Sequence, residues 1–191
     1  MSHSFFAYIF RMRYITRWAL MRNTRTENVE EHSYEVAVLA HALAVIGRDV
    51  LHKDVDPDRA AAAALFHDAP EIITGDMPTP IKYYNPDIKN AYRQVEAVAQ
   101  DKLLSMLPPE LVPAYAPLVR EGDGEVRRYV KAADKLSAYI KCVEEGKAGN
   151  AEFRMAAGQT LAALKEMNME ELDWFMERFL PAFELTLDEL Q

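Results

Sequence analysis

Between residues 125 and 146, apolar side chains recur at Val126, Tyr129, Val130, Ala133, Leu136, Ile140 and Val143. Steps of three and four place them on one face of a helix. The run is too long for an ordinary strand, so it commits this part of the chain to a long helix with one buried face. The same period recurs over 29–47, where Gly47 is expected to act as the stop. Asp56-Pro57 opens a further helix, with Pro57 at its first turn. Further helices are expected over 5–14, 86–107, 109–120, 151–166 and 169–180, the last stopped by Pro181. Gly122-Asp123-Gly124 reads as a turn, and residues 74–80 (TGDMPTP) as a loop stiffened by two prolines. Composition agrees. Ala occurs 27 times against 21 for Val and Ile combined, and Gly only 7 times, a bias toward helix. The expected fold is all-α, a bundle of several antiparallel helices forming a single domain over residues 1–191.

Several function classes drop out. Cys142 is the sole cysteine, so there is no internal disulfide and no thiolate zinc site. The longest nearly uninterrupted apolar run, Val36–Ile46, contains His41 and is far shorter than the ~20 residues of a membrane span. The N-terminal segment lacks an apolar region followed by a small-residue cleavage site, and a cytoplasmic location is expected. A net charge of −8 disfavours binding to nucleic-acid polymers. Arg11, Arg13, Arg17, Arg22 and Arg25 precede the first acid, Glu27, which suggests a local anion site more than a binding face for a polymer, although most of these arginines are expected on solvated helix faces. No GxxxxGK[ST], GxGxxG or GxSxG sequence is present.

The informative stretch is Phe66-His67-Asp68-Ala69-Pro70-Glu71. In this composition, His-Asp followed by Glu three positions after the Asp is expected about 0.03 times by chance. At about 100° per residue, His67, Asp68 and Glu71 can face one side of a helix. Pro70 means that the helix either bends there or ends and starts a second turn. Imidazole and carboxylate are ligands for a divalent metal, and a neighbouring Glu can move protons at a water beside it. His32 shares a stripe with Val36 and Leu39, and Asp134 lies mid-helix beside Val130, Ala133 and Ser137. An inward carboxylate there needs a partner or a metal; Lys131 and Lys135 are the alternatives. Two His and two Asp on three helices suit Mn, Co, Fe or Mg with open water positions.

His32, His67-Asp68 and Asp134, in this order, resemble the H…HD…D signature of HD-domain phosphohydrolases. The segments ITRWALMRNTRTENVEEHS, LFHDAPEIITGDMPTPIKYYN, KAADKLSAYIKC and FMERFLPAFELTLDEL further resemble the bacterial 5′-deoxynucleotidase subgroup over nearly the whole chain. The resemblance implies an HD-domain fold with a metal core over about 28–146. Residues 1–27 would contribute the phosphate site, and 147–191 would complete the bundle. It implies one divalent metal ion (Co, Mn or Mg) on His32, His67, Asp68 and Asp134, and Glu71 as the catalytic acid or base. Arg17 would bind the 5′-phosphate, and Trp18 would wall the sugar and disfavour a 2′-hydroxyl. Asp76, Met77, Pro78 and Thr79 would line the sugar and base, with Asp68 and Asp134 also facing the substrate. The implied reaction is hydrolysis of deoxyribonucleoside 5′-monophosphates by a homodimer. The alternatives are another HD phosphohydrolase, acting on dNTPs, cyclic nucleotides or alarmones, and a nucleotide sensor without catalysis. His41 reads as a core histidine or one supporting the ligands from behind, not a ligand itself, His3 and His52 as surface residues, and Cys142 as inert.

Overall fold

A computed structural model of the chain describes residues 3–82, 84–120 and 124–190, the side chains of residues 79 and 80 excepted. The expected turn at residues 122–124 falls mostly outside them. The elements are α1 (Phe5–Ile9), α2 (Val29–Val45), α3 (Pro57–Phe66), α4 (Glu71–Thr74) and α5 (Thr79–Lys82), then α6 (Pro86–Leu104), α7 (Val112–Val119), α8 (Gly124–Lys147), α9 (Arg154–Glu166) and α10 (Glu170–Arg178). Short 3-10 turns follow α1 and α10 and precede α9. Among the described residues the fold is all-α. Its one extended pairing is an isolated bridge between Thr16 and Asn28.

The helix starts follow local chemistry. Asn28 caps α2: its side chain accepts from Glu31 N, and the Glu31 carboxylate accepts from Asn28 N. Such a reciprocal cap is worth about 1 kcal/mol, and it fixes the turn that carries His32. Asp56 caps α3 ahead of Pro57, and Asn85 caps α6 ahead of Pro86. Gly47 does not stop the second helix. The chain continues past it in a π-type turn, Ile46–Val50, and reverses at His52 with φ 57°. Gly47 is needed for space instead, because a Cβ there would come within 2.5 Å of the Tyr129 hydroxyl. Nor does Pro181 end the chain's helical path; it sits in the first turn of a 3-10 segment, Leu180–Glu184.

Two buried apolar clusters form. One joins α2, α3, α8 and α10 through residues such as Val36, Leu43, Ala60, Ala64, Leu136 and Leu172. Burying a side chain such as Leu136 contributes about 1.5–3 kcal/mol, and the alanines of α3 let its backbone approach α2 and α8. The second gathers Phe5, Met12, Val29, Ala69, Leu103, Leu107 and Val119. His32 lies between Val29 of the second cluster and Val36 of the first. His67 and Asp68 lie between Ala64 of the first and Ala69 of the second. The polar residues of the expected site therefore converge at the seam between two apolar cores.

Candidate active site

The His67-Asp68 turn is where α3 ends. Its bonds are of the tight i to i−3 kind: His67 N to Ala64 O, Ala69 N to Phe66 O and Glu71 N to Asp68 O. Pro70 falls where the chain leaves one helix and starts the next, so its missing N–H breaks no ladder. Of the two outcomes expected at Pro70, the structure takes the second turn. Gly75 then closes α4 with φ 74°, a conformation that favours glycine.

These turns bring one ring nitrogen each of His32 and His67 and an Asp68 carboxylate oxygen within 4.8 Å of one another. His32 is fully buried, with Asp134 Oδ1 3.1 Å and Asp68 Oδ2 3.6 Å from its Nε2. Asp134 thus meets His32, and its side chain is 41% exposed. His67 donates from Nδ1 to Ala64 O at 2.7 Å. That bond fixes the tautomer and turns Nε2 toward the cluster. Among the described residues Nε2 is buried with no hydrogen-bond partner, although Asp68 Oδ2 is only 3.1 Å away. A buried, orphaned imidazole nitrogen among carboxylates fits a divalent cation, and so does the mixed N/O donor set.

The charges respond to this crowding. Burial opposes a charged His67, but the Asp68 and Asp134 carboxylates outweigh it and raise its pKa to about 9. For His32, burial dominates and Arg17 adds to it, lowering its pKa. Burial also opposes ionised Asp68, yet His67, His32 and Arg17 hold it well below the usual carboxylate range. Asp134 is lowered to about 2 against its burial, chiefly by its bond to His32. Glu71 goes the other way. Burial, then repulsion from Asp68 and Asp76, pushes it up to about 10, and its Oε2 is buried without a partner among the described residues. A carboxyl kept protonated beside ionised ones is chemically able to transfer a proton.

Arg17 and Trp18 sit on the strand-like arm whose backbone pairs Arg17 N with Glu27 O and Val29 N with Ile15 O. Arg17 is not a solvated surface residue. Its Nε donates to Glu27 Oε1 at 2.8 Å and its Nη1 to Asp68 Oδ2 at 3.4 Å, while Nη2 makes no hydrogen bond among the described residues. Trp18 adopts φ 57°, unusual for a bulky residue. Its Nε1 donates to Glu27 Oε2 at 3.1 Å, and its ring lies 5.3 Å from Phe153. Asp76 is half-buried, and burial raises its pKa against the pull of Arg17. Met77 and Pro78 are half-buried in the same loop; Thr79 opens α5 but its side chain is outside the described set.

Sequence reasoning did not single out Glu27, which holds both Arg17 and Trp18, or the Ser137 hydroxyl, which lies 3.2 Å from His32 Nδ1 and donates to Glu35. The signal available was position. Glu27 immediately precedes the cap of the helix that carries His32, and Ser137 is one turn beyond Asp134. His41 is not in the core: it is exposed and lies 3.6 Å from Asp58. The apolar residues flanking it in sequence face inward, while it points outward. His3 and His52 are exposed, and Cys142 is buried with its thiol pushed up to about 11 by burial.

The sequence model of the YfbR-like 5′-deoxynucleotidases matches residues 4–183. This chain belongs to that family. A 5′-deoxynucleotidase of Erwinia tasmaniensis is 50% identical over 100% of this chain and 98% of its own. The 5′-deoxynucleotidase YfbR of Escherichia coli O1:K1 is 49% identical over 99% and 96%. Among solved structures, an HD-domain phosphohydrolase from Listeria innocua superposes with a TM-score of 0.81 at 23% identity, covering 95% of this chain and 88% of its own. The cyanophage S-2L HD phosphohydrolase DatZ, solved with dA and one catalytic Zn2+ ion, gives 0.68 at 23% identity over 94% and 96%. The fold is therefore that of the HD-domain phosphohydrolases.

Proposed function

We propose that this protein hydrolyses deoxyribonucleoside 5′-monophosphates to a deoxynucleoside and phosphate, using one divalent metal held by His32, His67, Asp68 and Asp134. The observation that carries the reading is the buried His32, His67 and Asp68 cluster with an orphaned His67 Nε2, in a chain about half identical to curated 5′-deoxynucleotidases over its full length. The metal, when bound, supplies Lewis-acid stabilisation of phosphate charge and a water activated at neutral pH. Cobalt, manganese and magnesium all suit the donor set.

The chain's own residues divide the remaining work. Arg17 presents the unbonded Nη2 edge of its guanidinium to the phosphate, where negative charge accumulates. Glu71 carries a proton at its unpartnered Oε2 and exchanges it with the reacting oxygens. Trp18 walls the sugar and crowds a 2′-hydroxyl, while Asp76, Met77, Pro78 and Thr79 line the sugar and base; Asp68 and Asp134 face the substrate as well as the metal. Residues 1–27 serve the phosphate site, about 28–146 form the metal core and 147–191 complete a single domain. Family membership supports a cytoplasmic homodimer. No helix among the described residues is long and apolar enough to cross a membrane.

The test is phosphate release from a panel of 5′-dNMPs, 5′-NMPs and dNTPs. Chelator-treated protein is restored with Mn2+, Co2+ or Mg2+ beside Glu71→Gln. Metal-dependent release from dNMPs, weak on ribonucleotides and lost in the variant, is expected. Release from triphosphates instead would assign a different phosphohydrolase activity, and metal binding without any hydrolysis would assign a sensor.

A further inference from the structure

We infer that Glu27 is a positioning residue that sets both the phosphate contact and the sugar wall of the site. The inference rests on the roles proposed for Arg17 and Trp18. Glu27 is nearly buried, and its two carboxylate oxygens are used separately. Oε1 accepts from Arg17 Nε at 2.8 Å, and Oε2 accepts from Trp18 Nε1 at 3.1 Å. Its backbone carbonyl accepts from Arg17 N at 2.9 Å. Oε1 also stands 3.4 Å from His32 Nδ1, on the side of the ring opposite the metal cluster. One carboxylate therefore touches the phosphate arginine, the sugar-facing tryptophan and a metal-ligand histidine.

The geometry fits orientation better than simple ion pairing. Arg17 is gripped at Nε by Glu27 and at Nη1 by Asp68. Two carboxylates on different parts of the fork fix the plane of the guanidinium, leaving Nη2 for the ligand. Trp18 is held at φ 57°, a conformation that persists in a bulky residue only where its surroundings over-determine it. The indole bond to Glu27 and the Phe153 ring provide that constraint.

A glutamine cannot reproduce this arrangement. Its amide has one acceptor oxygen and one donor group, so it serves Arg17 or Trp18 but opposes the other. Glu27→Gln is therefore expected to raise the KM for 5′-dNMPs by roughly 10- to 100-fold, the weight of a misdirected charge-assisted contact, with kcat moving far less. The ratio of kcat/KM for a dNMP over the matching NMP should fall toward that of Trp18→Ala. This ratio does not depend on the amount of folded enzyme. A readout without turnover is acrylamide quenching of Trp18 in metal-free Trp174→Phe protein, where Trp18 is the only indole; Glu27→Gln should increase it.

Glu27→Asp keeps the charge but withdraws both oxygens, and should give an intermediate KM and ratio. It carries the test if the glutamine variant does not fold. The inference is overturned if Trp18→Ala lowers the deoxy/ribo ratio while the Glu27 variants leave ratio, KM and quenching at wild-type values. If Trp18→Ala leaves the ratio unchanged, the sugar-wall reading of Trp18 fails instead. KM and quenching then decide for Glu27: movement of both supports it, and movement of neither overturns it.

Discussion

Glu145 is 1% exposed, and its carboxylate accepts from five groups: Thr24 N at 3.0 Å, Thr24 Oγ1 at 2.7 Å, Arg25 N at 3.3 Å, Asn150 Nδ2 at 2.8 Å and Lys141 Nζ at 2.6 Å. Lys141, itself buried, has Arg25 O as its other hydrogen-bond acceptor. Glu145→Ala leaves that ammonium buried without a counter-charge, a loss of about 3–5 kcal/mol. The orphaned Thr24 and Arg25 donors lie on a loop that can partly reach water, adding about 1 kcal/mol. A total of roughly 4–6 kcal/mol corresponds to a Tm lower by roughly 10–20 °C for a chain of this size. Urea unfolding and a thermal melt would measure both. Lys141→Met combined with Glu145→Leu removes the stranded charge and should cost clearly less than Glu145→Ala alone. The sign with pH is also set. Burial opposes the Glu145 charge, but bonds from Lys141, Asn150 and Thr24 hold its pKa well below its ordinary 4.5. Its contribution is therefore present above about pH 4.5 and shrinks as pH falls below that value. A cost under 1 kcal/mol for Glu145→Ala, or a double variant as costly as the sum of the singles, would refute the reasoning.

Gly47→Ala drives a methyl to within 2.5 Å of the Tyr129 hydroxyl, which donates to Glu171 at 2.6 Å; overpacking of this kind should cost about 1–3 kcal/mol in denaturant unfolding. Metal affinity should fall by about tenfold per pH unit below 9, since the His67 imidazolium, with its pKa raised to about 9, must release its proton to expose a lone pair. Calorimetric titration in buffers of different ionisation enthalpy would count that proton, and a pH-independent affinity would contradict it.

The helical period and the proline and glycine punctuation made most of the fold legible, because α2, α3, α6 and α8 each bury one stripe, and α2, α3 and α6 start at a side-chain cap or a proline. Gly47 misled because the same residue type serves a helix stop and a close contact, and only the distant Tyr129 distinguishes them. His41 misled because apolar sequence neighbours in a helix do not share a face. The clustering of His32, His67 and Asp68 was legible from polar residues set beside apolar stripes, while Asp134 reaches His32 with its side chain 41% exposed. Glu27 was not, since its partners at Arg17, Trp18 and His32 come together only when the loop folds back along the Thr16–Asn28 bridge.

The most direct test of the account is a calorimetric titration of chelator-treated protein with Mn2+ and Co2+, with phosphate release from a 5′-dNMP followed in the same samples. Wild type should bind one equivalent per chain and regain hydrolysis in step with it. Asp68→Ala and His67→Ala, confirmed folded by circular dichroism, should lose both together. One equivalent still bound and hydrolysis still restored in those two variants would contradict a metal site built on the His67-Asp68 turn.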